Sequence, residues 1–410
     1  MNTTSPAVSS SPSAASQGDA RQVLLIASIL VGFGVVMVYS SSSVYADGRF
    51  GDSGFFLGRQ IARAVCGVVV MFALSRVPLE FWQRVALPLL IVGVTFLVLV
   101  LAIGHGRSAS RWLTFPMPSF LPSISFQPSE FVRLVLVLYL ADVLVRKERD
   151  IGHWWNGVVP RIIIIAGVQL LILLQPDLGT CLAVSIIAGA MLWVGGARTA
   201  HLLATVGLAA PIVAVSVYNN GYQMKRVMSF FVGADSQQAG YQMSQSLTAL
   251  GSGGFFGVGL GSSVQKHFFL PEAHTDFVFA FVGEELGLAG CLSIIGLFVA
   301  LAIYGYRIAR GAATPFGFLV AVGVTFMISV YAVLNVGVVT GMMPTTGLPL
   351  PFISYGGSSL LWNLCGVGIL AAVARQSTGS LPPRVGAGFV ADRTLAHATP
   401  IRAGWRRLQS

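Results

Sequence analysis

The sequence predicts an all-α polytopic membrane protein, and both its composition and the lengths of its apolar runs support this class. Of its 410 residues, 55% are hydrophobic and only 10% are charged, whereas soluble domains carry about 25% charged residues. A transmembrane helix needs about 20 apolar residues. Apolar runs near this length predict about ten spans, at residues 22–43, 58–75, 86–104, 128–145, 160–174, 177–195, 200–217, 276–304, 315–340 and 355–374.

The net charge of +10 is distributed as expected for a membrane protein rather than for a nucleic-acid-binding surface. If the N-terminus lies inside, 16 of the 25 Lys and Arg residues fall in cytoplasmic segments and seven fall outside. Cytoplasmic loops are enriched in Lys and Arg, and such residues also contact anionic lipids. This bias predicts that both termini lie in the cytoplasm, that the membrane is a partner and that nucleic acid is not.

The chain divides into three predicted regions. Residues 1–21 are expected to form a disordered cytoplasmic tail, residues 22–375 a single ten-span domain, and residues 376–410 a basic cytoplasmic tail. A large extracytoplasmic loop is predicted at residues 218–275, between spans seven and eight. We expect no removable signal peptide. The four cysteines lie in apolar runs and are expected to be reduced and to serve in packing.

The long outer interval ends in the densest group of reactive side chains in the sequence. Lys266, Glu272, His274 and Asp276 lie within eleven residues, directly before an apolar helix. Thr275 is suited to cap that helix, and an acid is favourable in a first turn. A capping role for Asp276 and a chemical role at the outer mouth of the bundle therefore both remain open.

Two further features of this region have alternative interpretations. Six glycines between residues 251 and 261 indicate either a close approach of the backbone to another element or a mobile lip. Glu284 and Glu285 fall inside a predicted span, where acids are costly and usually functional, although either acid could instead pair with Arg63 or Arg133.

Charged residues also mark the outer ends of other spans. Pro128 suits the first turn of a helix, and Glu130 and Arg133 would share its face at a spacing of three residues. This pair is either a self-neutralising ion pair or a binding site for a charged headgroup. Asp177 either caps span six, lines a cavity, or does both. Arg59 is either an interfacial anchor or a ligand-binding cation.

The loop before span ten contains three prolines and ends in Ser354 and a glycine pair. Irregular backbone at membrane depth is tolerated where it lines a cavity, so this loop is predicted to form a cavity wall. The residues alone indicate a lipid-handling enzyme of the outer leaflet or a transporter. Transporters often contain internal repeats, and the sequence has no convincing repeat, which favours the enzyme.

Five segments, in order along the chain, resemble the SEDS family of bacterial cell-wall proteins. They cover nearly the whole span region, and they are Gln127-Pro-Ser-Glu-Phe, Gln175-Pro-Asp-Leu-Gly-Thr, Leu270-Pro-Glu-Ala-His-Thr-Asp-Phe-Val-Phe-Ala, Gly283-Glu-Glu-Leu-Gly and Ile353-Ser-Tyr-Gly-Gly-Ser-Ser. The resemblance implies a peptidoglycan glycosyltransferase that polymerises lipid II and releases undecaprenyl pyrophosphate.

The resemblance also implies roles for individual residues. The acid that matches Asp276 is the family's catalytic residue, and a carboxylate can serve there as general base. Positive charge for the leaving pyrophosphate is assigned to Arg59, Arg133 and Lys266, or to a divalent cation (Mg²⁺ or Mn²⁺) that Asp276 could help to bind. No organic cofactor is implied. Further substrate-binding positions carried over from the motifs are Glu130, Asp177, Glu272, His274 and Ser354.

The segment Gly-Ser-Ser-Val-Gln-Lys at residues 261–266 resembles the cell-division members of the family. The RodA-type elongation members tend to carry Arg where Ala273 stands. Arg133 departs from the pattern, because relatives often carry Lys there, and the two cations differ in geometry. The implied partners are a class B penicillin-binding protein of the FtsI type and other divisome proteins, in the bacterial cytoplasmic (inner) membrane at the division septum. A lipid II flippase and a RodA-type elongation polymerase are the alternatives.

Overall fold

The computed structural model describes residues 14–104, 111–115, 124–147, 151–232, 238–265 and 275–377. In these ranges the chain is almost entirely helical, with one antiparallel pair of short strands, β1 (Leu113–Phe115) and β2 (Ile124–Phe126). The helices are α1 Ala14–Phe50, α2 Phe55–Leu74, α3 Leu79–Ile103, α4 Pro128–Arg146, α5 Val159–Leu174, α6 Leu178–Val194, α7 Thr199–Asn219, α8 Gly221–Val232, α9 Gln238–Ser252, α10 Val278–Arg310, α11 Pro315–Val339 and α12 Gly357–Arg375. A π-helical turn, Trp154–Val158, precedes α5.

Each of the ten predicted spans coincides with a helix, which confirms a polytopic all-α membrane protein. In the described part of the chain, eight helices are long and apolar enough to cross a bilayer. The other two predicted spans correspond to α4, which carries four charged residues, and α6, which has only 17 residues. The number of membrane crossings and the orientation stay predictions.

The centre of the bundle is formed by α4, α11 and α12, whose surfaces are largely buried on all sides. This burial explains how α4 can hold Glu130, Arg133 and Asp142, since these three side chains face protein and not lipid. Small residues allow close helix packing: a Cβ at Gly368 of α12 would lie 2.6 Å from the backbone oxygen of Met71 on α2. By contrast, α7 has no buried residue, and its main contacts are with α6 and α8 at the edge of the bundle.

The first helix begins earlier than predicted. Residues 14–21 were expected to be part of a disordered tail, but α1 starts at Ala14. The hydroxyl of Ser16 donates to the backbone oxygen of Ala374, and Asp19 forms an ion pair with Arg307 at 3.1 Å. These contacts tie the start of α1 to the last turns of α12 and α10, which the local sequence could not indicate.

The glycine-rich segment after α9 packs against a break in α10. At Gly287 the backbone leaves the helical conformation, with φ 65° and ψ −164°. The backbone groups freed by this break bond to the segment: Val258 N donates to Glu284 O at 2.9 Å, and Leu288 N donates to Gly254 O at 3.0 Å. Of the two predicted roles for the glycines, the structure therefore supports close backbone approach.

Within the described residues, neither acid beside the break pairs with Arg63 or Arg133, which was the alternative. The carboxylate of Glu284 accepts from the hydroxyl of Ser263 and, at 2.8 Å, from Val264 N. Both oxygens of Glu285 accept from the hydroxyl of Ser40 on α1, at 2.6 and 2.7 Å. The acids therefore fasten the glycine segment and α1 to α10.

Candidate active site

The end of the bundle opposite the start of α1, here called the outer end, is organised by the loop between α11 and α12. Its main support is Asn335, a buried amide near the end of α11. The side-chain nitrogen of Asn335 donates to two backbone oxygens, those of Asp276 and Leu348, each at 2.8 Å. This side chain therefore joins the backbone of Asp276 to the loop.

Asp276 and Arg226 lie at the same opening, against Gly347 of this loop. A Cβ at Gly347 would lie 3.5 Å from Oδ2 of Asp276 and 3.1 Å from Nη1 of Arg226. Gly347 has φ +74°, which disfavours other residues. Arg226 belongs to α8, and its Nη1 also donates to the backbone oxygen of Thr345 at 3.4 Å. Both charged side chains are partly exposed, so a carboxylate and a guanidinium face one accessible space.

Several buried polar atoms near this opening lack a hydrogen-bond partner within the described ranges. They are both amide atoms of Gln223, Oδ1 of Asn335 and the hydroxyls of Thr345 and Thr346. Gln223 lies one turn before Arg226 on α8 and is on the same side of the helix. Buried polar groups are normally paired, so these atoms would need a rearrangement or a bound molecule to complete their hydrogen bonds.

Asp177 lies on the other side of the loop and is confirmed as the N-cap of α6. Its carboxylate accepts from Thr180 N at 3.2 Å and from the Thr180 hydroxyl at 2.9 Å. Arg111 reaches the same carboxylate at 3.8 Å. Asp177 is buried, and Gly179 in the first turn of α6 packs against Thr346 of the loop. This acid therefore supports the loop from behind.

Glu130 and Arg133 form a buried ion pair, 2.8 Å apart, at the start of α4. The guanidinium of Arg133 lies over the ring of Tyr331, 3.8 Å from its centroid, and donates to Oδ1 of Asn363 at 3.1 Å. The ion-pair interpretation is therefore correct for this conformation, and neither side chain reaches the accessible surface. Tyr331 is one helical turn from Asn335, so the pair supports the same end of α11 that holds Asp276.

The family model for the FtsW, RodA and SpoVE proteins, described as cell cycle proteins, matches residues 20–379. The chain belongs to this family. A relative from Trichlorobacter lovleyi, named probable peptidoglycan glycosyltransferase FtsW, is 42% identical over 356 residues, which are 86% of this chain and 92% of the relative. The SEDS resemblance predicted from the five motifs is thereby confirmed.

Solved structures of this family share the fold. One, from a study of how a peptidoglycan synthase complex coordinates polymerization and crosslinking, has a TM-score of 0.71 and 29% identity over 86% of this chain and 96% of that chain. The rod shape determining protein RodA of Thermus thermophilus has a TM-score of 0.63 and 29% identity over 87% of this chain and 96% of that chain. The fold prediction therefore agrees with the solved structure of a RodA protein.

The other predicted site residues lie apart from the opening or outside the described ranges. Arg59 lies over the ring of Phe55, 3.9 Å from its centroid. The hydroxyl of Ser354 accepts from Leu350 N at 2.8 Å and is buried, so it shapes the loop from within. Lys266, Glu272 and His274 fall in 266–274, outside the residues that the structure describes. Their predicted roles, like the predicted substrate contacts of Arg59 and Ser354, stay predictions.

The predicted helix cap before α10 is wrong. The N-cap position is Phe277 and makes no side-chain capping bond, so neither Thr275 nor Asp276 caps this helix. Asp276 lies in the turn one residue before the cap, and its backbone is held by Asn335 instead.

Sequence reasoning missed three residues of the outer end, namely Arg226, Gln223 and Asn335. The sequence places Arg226 only among the seven basic residues that are predicted to lie outside, and it places Asn335 inside a predicted span. A signal was present: Gln223 and Arg226 stand three residues apart in a helical pattern, and an amide inside a span normally finds a polar partner. Which partner each finds depends on the tertiary structure.

Proposed function

We propose that the chain is a peptidoglycan glycosyltransferase that polymerises lipid II at the outer face of the bacterial cytoplasmic membrane, at the division septum. The single observation that carries this proposal is the shared opening of Asp276 and Arg226 beside Gly347. A glycosyl transfer to a hydroxyl needs a base for the hydroxyl proton and positive charge for a pyrophosphate leaving group. The opening provides both groups.

In the proposed reaction the acceptor sugar's 4-hydroxyl oxygen attacks the anomeric carbon of the donor chain. Asp276 accepts the hydroxyl proton as the new C–O bond forms. The bond between the anomeric carbon and the pyrophosphate oxygen breaks, and its electron pair leaves with undecaprenyl pyrophosphate. Arg226 offsets the negative charge that the leaving oxygen gains.

A divalent cation stays part of the proposal. Among the described residues, no three His, Cys, Asp or Glu side chains come together. Mg²⁺ is commonly held by one or two carboxylates together with substrate phosphates, a pattern to which Asp276 is suited. When bound there, the ion would add positive charge at the pyrophosphate.

We further propose that the chain works with a class B penicillin-binding protein of the FtsI type and other divisome proteins. Support comes from the similar structure of a peptidoglycan synthase complex, which coordinates polymerization with crosslinking. Identity of 42% to an FtsW relative, against 29% to the RodA structure, favours the division role over the elongation role.

The test is polymerisation of lipid II by the purified full chain with its penicillin-binding partner and Mg²⁺, with glycan length read on a gel. Asp276→Asn is expected to lower the initial rate at least ~100-fold, because a positioned base contributes about that factor or more. The matched control is Asp47→Asn, which removes an exposed acid outside the opening, and it is expected to retain the wild-type rate.

Both variants should insert and elute from size exclusion as the wild type does. Wild-type synthesis by Asp276→Asn would overturn the proposal. The flippase alternative predicts a different pattern in vesicles that contain only this chain: transbilayer movement of labelled lipid II that survives Asp276→Asn, with no glycan product from the wild type.

A further inference from the structure

A cleft of about 720 Å³ lies at the end of the bundle opposite Asp276. It opens beside the first turns of α1 and is completed by the last turns of α2 and α12. This volume is within the usual range for ligand pockets. Two arginines contribute to it, together with apolar and small polar side chains; its lining residues are Gln17, Ala20, Arg21, Leu24, Leu25, Ser28, Phe72 and Arg375.

The positive charge of the cleft is not compensated by the described part of the chain. Neither Arg21 nor Arg375 has an ion pair or hydrogen bond within those ranges. The nearest acid along α1, Asp19, is already paired with Arg307 at 3.1 Å. Two guanidinium groups therefore border one cleft without an internal anion, which makes an anionic ligand the complementary occupant.

The terminal segments of the chain are poorly suited to supply that anion. Residues 1–13 contain no acidic side chain, and residues 378–410 contain five arginines but a single acid, Asp392. Occupation of the cleft by either segment would add little negative charge or would add more positive charge. Charge complementarity therefore points to a separate molecule.

The walls of the cleft continue as apolar surface toward the middle of the bundle. On α1, Leu25 and Ile29 are exposed one helical turn apart, and on α2, Phe72 and Val69 are exposed at a spacing of three residues. A ligand with a charged head at the two arginines and a long apolar chain would cover these side chains. Basic pockets between helices at the cytoplasmic side are typical sites for anionic lipid headgroups.

We propose that this cleft binds one anionic phospholipid of the cytoplasmic leaflet. Its phosphate lies between Arg21 and Arg375, and an acyl chain follows the exposed side chains of α1 and α2. The lipid would join α1, α2 and α12 where the start of α1 meets the end of α12. This proposal rests on the predicted orientation of the chain and is independent of the glycosyltransferase reaction.

The test is native mass spectrometry of the purified full chain in detergent, titrated with phosphatidylglycerol or with phosphatidylcholine of the same acyl chains. We expect one saturable phosphatidylglycerol site and clearly weaker phosphatidylcholine binding. The double variant Arg21→Gln/Arg375→Gln is expected to bind phosphatidylglycerol at least ~10-fold more weakly, since each basic group near an anionic lipid surface contributes roughly a factor of five.

The matched control is Arg76→Gln/Arg84→Gln, which removes the same charge from exposed positions that do not line the cleft. This control is expected to keep the wild-type affinity, and phosphatidylglycerol should raise its unfolding temperature as it does for the wild type but not for the cleft variant. If the double variant does not fold, Arg21→Gln alone serves, because Arg21 is exposed at the rim.

Three results would overturn the proposal. Equal weakening by both double variants would indicate attraction by net charge alone. Equal binding of phosphatidylcholine, or equal competition by glycerol phosphate without acyl chains, would exclude recognition of an anionic lipid. Binding that appears only after deletion of residues 378–410 would identify the C-terminal tail as the occupant.

Discussion

At the residue scale, a neutral side chain joins the backbone of Asp276 to the loop between α11 and α12. Asn335 donates to the backbone oxygens of Asp276 and Leu348, and it is almost fully buried. Hydrogen bonds of this kind fix geometry because a buried donor without a partner costs about 1–3 kcal/mol. The backbone of Asp276 is thus held by Asn335. Its carboxylate lies at the opening that it shares with Arg226.

Replacement of Arg226 tests whether its charge serves the reaction. Arg226→Gln is expected to lower kcat/KM for lipid II on the order of 100-fold, the usual cost of one group that stabilises developing charge. The measurement is the initial rate of glycan synthesis over a range of lipid II concentrations. Lys225→Gln is the matched control, because Lys225 is the neighbouring cation on α8 and is exposed.

The control should retain a rate within about twofold of the wild type, since exposed charges contribute little. Equal losses in the two variants would mean that α8 acts through its net charge, and no loss in Arg226→Gln would remove Arg226 from the site.

Arg133 illustrates how burial changes an interpretation at this scale. Its sequence position suits a headgroup-binding cation, but its side chain is enclosed by Glu130, Tyr331 and Asn363. A buried pair of this kind has to stay complete, because removal of one partner leaves an uncompensated charge at a cost of about 3–5 kcal/mol. In this conformation Arg133 therefore supports α11 and the loop beyond it.

At the element scale, the broken helix α10 and the glycine segment form one unit. The break at Gly287 leaves backbone groups without helical partners at membrane depth, where each unsatisfied group is costly. The segment supplies those partners, for example through Gly259 N, which donates to Glu285 O at 3.0 Å. Glycines are required because the two backbones touch.

Alanine substitutions at two glycines of the segment distinguish the effect of backbone contact from the effect of backbone conformation on stability. Gly257 has φ +82°, and a Cβ there would collide with the backbone of Glu285 and Leu286. Gly261 has φ +76°, and a Cβ there would meet no atom of the described residues within 4 Å. Gly261→Ala is expected to lower the free energy of unfolding by about 1–2 kcal/mol, the cost of placing a residue with a Cβ in the left-handed conformation. Gly257→Ala should lower the free energy of unfolding by more than Gly261→Ala does. The measurement is the unfolding temperature of each variant in detergent, which should be lower for Gly257→Ala.

Equal unfolding temperatures for the two alanine variants would contradict the contact between the segment and α10. Activity should follow the same order, because α10 begins two residues after Asp276.

At the scale of the whole molecule, the two ends of the bundle differ in charge and in chemistry. The outer end contains the opening of Asp276 and Arg226, and the opposite end contains the cleft of Arg21 and Arg375. The bias of basic residues toward the second end predicts that it faces the cytoplasm. The opening of Asp276 and Arg226 would then face the side where the proposed reaction assembles glycan strands.

Reporter fusions test this orientation. Alkaline phosphatase fused after Leu250 is expected to be active, because α9 should lie outside, and the same reporter fused after Gln376 should be inactive. A fluorescent protein at the C-terminus should fluoresce, since it folds in the cytoplasm. The reverse pattern of reporter activity would show that the chain has the opposite orientation, which places Asp276 on the wrong side for the proposed reaction.

The sequence by itself determined the class of the protein, the approximate positions of ten helices and the family, and it predicted the role of Asp276. These depend on local composition and on motif order, which a single chain displays directly. It also predicted the cap of Asp177 and the pair of Glu130 and Arg133, because their partners lie within three residues.

Only the tertiary structure decided which distant residues meet. Asn335 and Asp276 are 59 residues apart in the chain, and no periodicity relates them or relates Arg226 to Gly347. The start of α1 is likewise ordered by the ends of α10 and α12 rather than by its own sequence. Packing of separate helices creates these contacts, and the opening and the cleft exist only once the bundle is assembled.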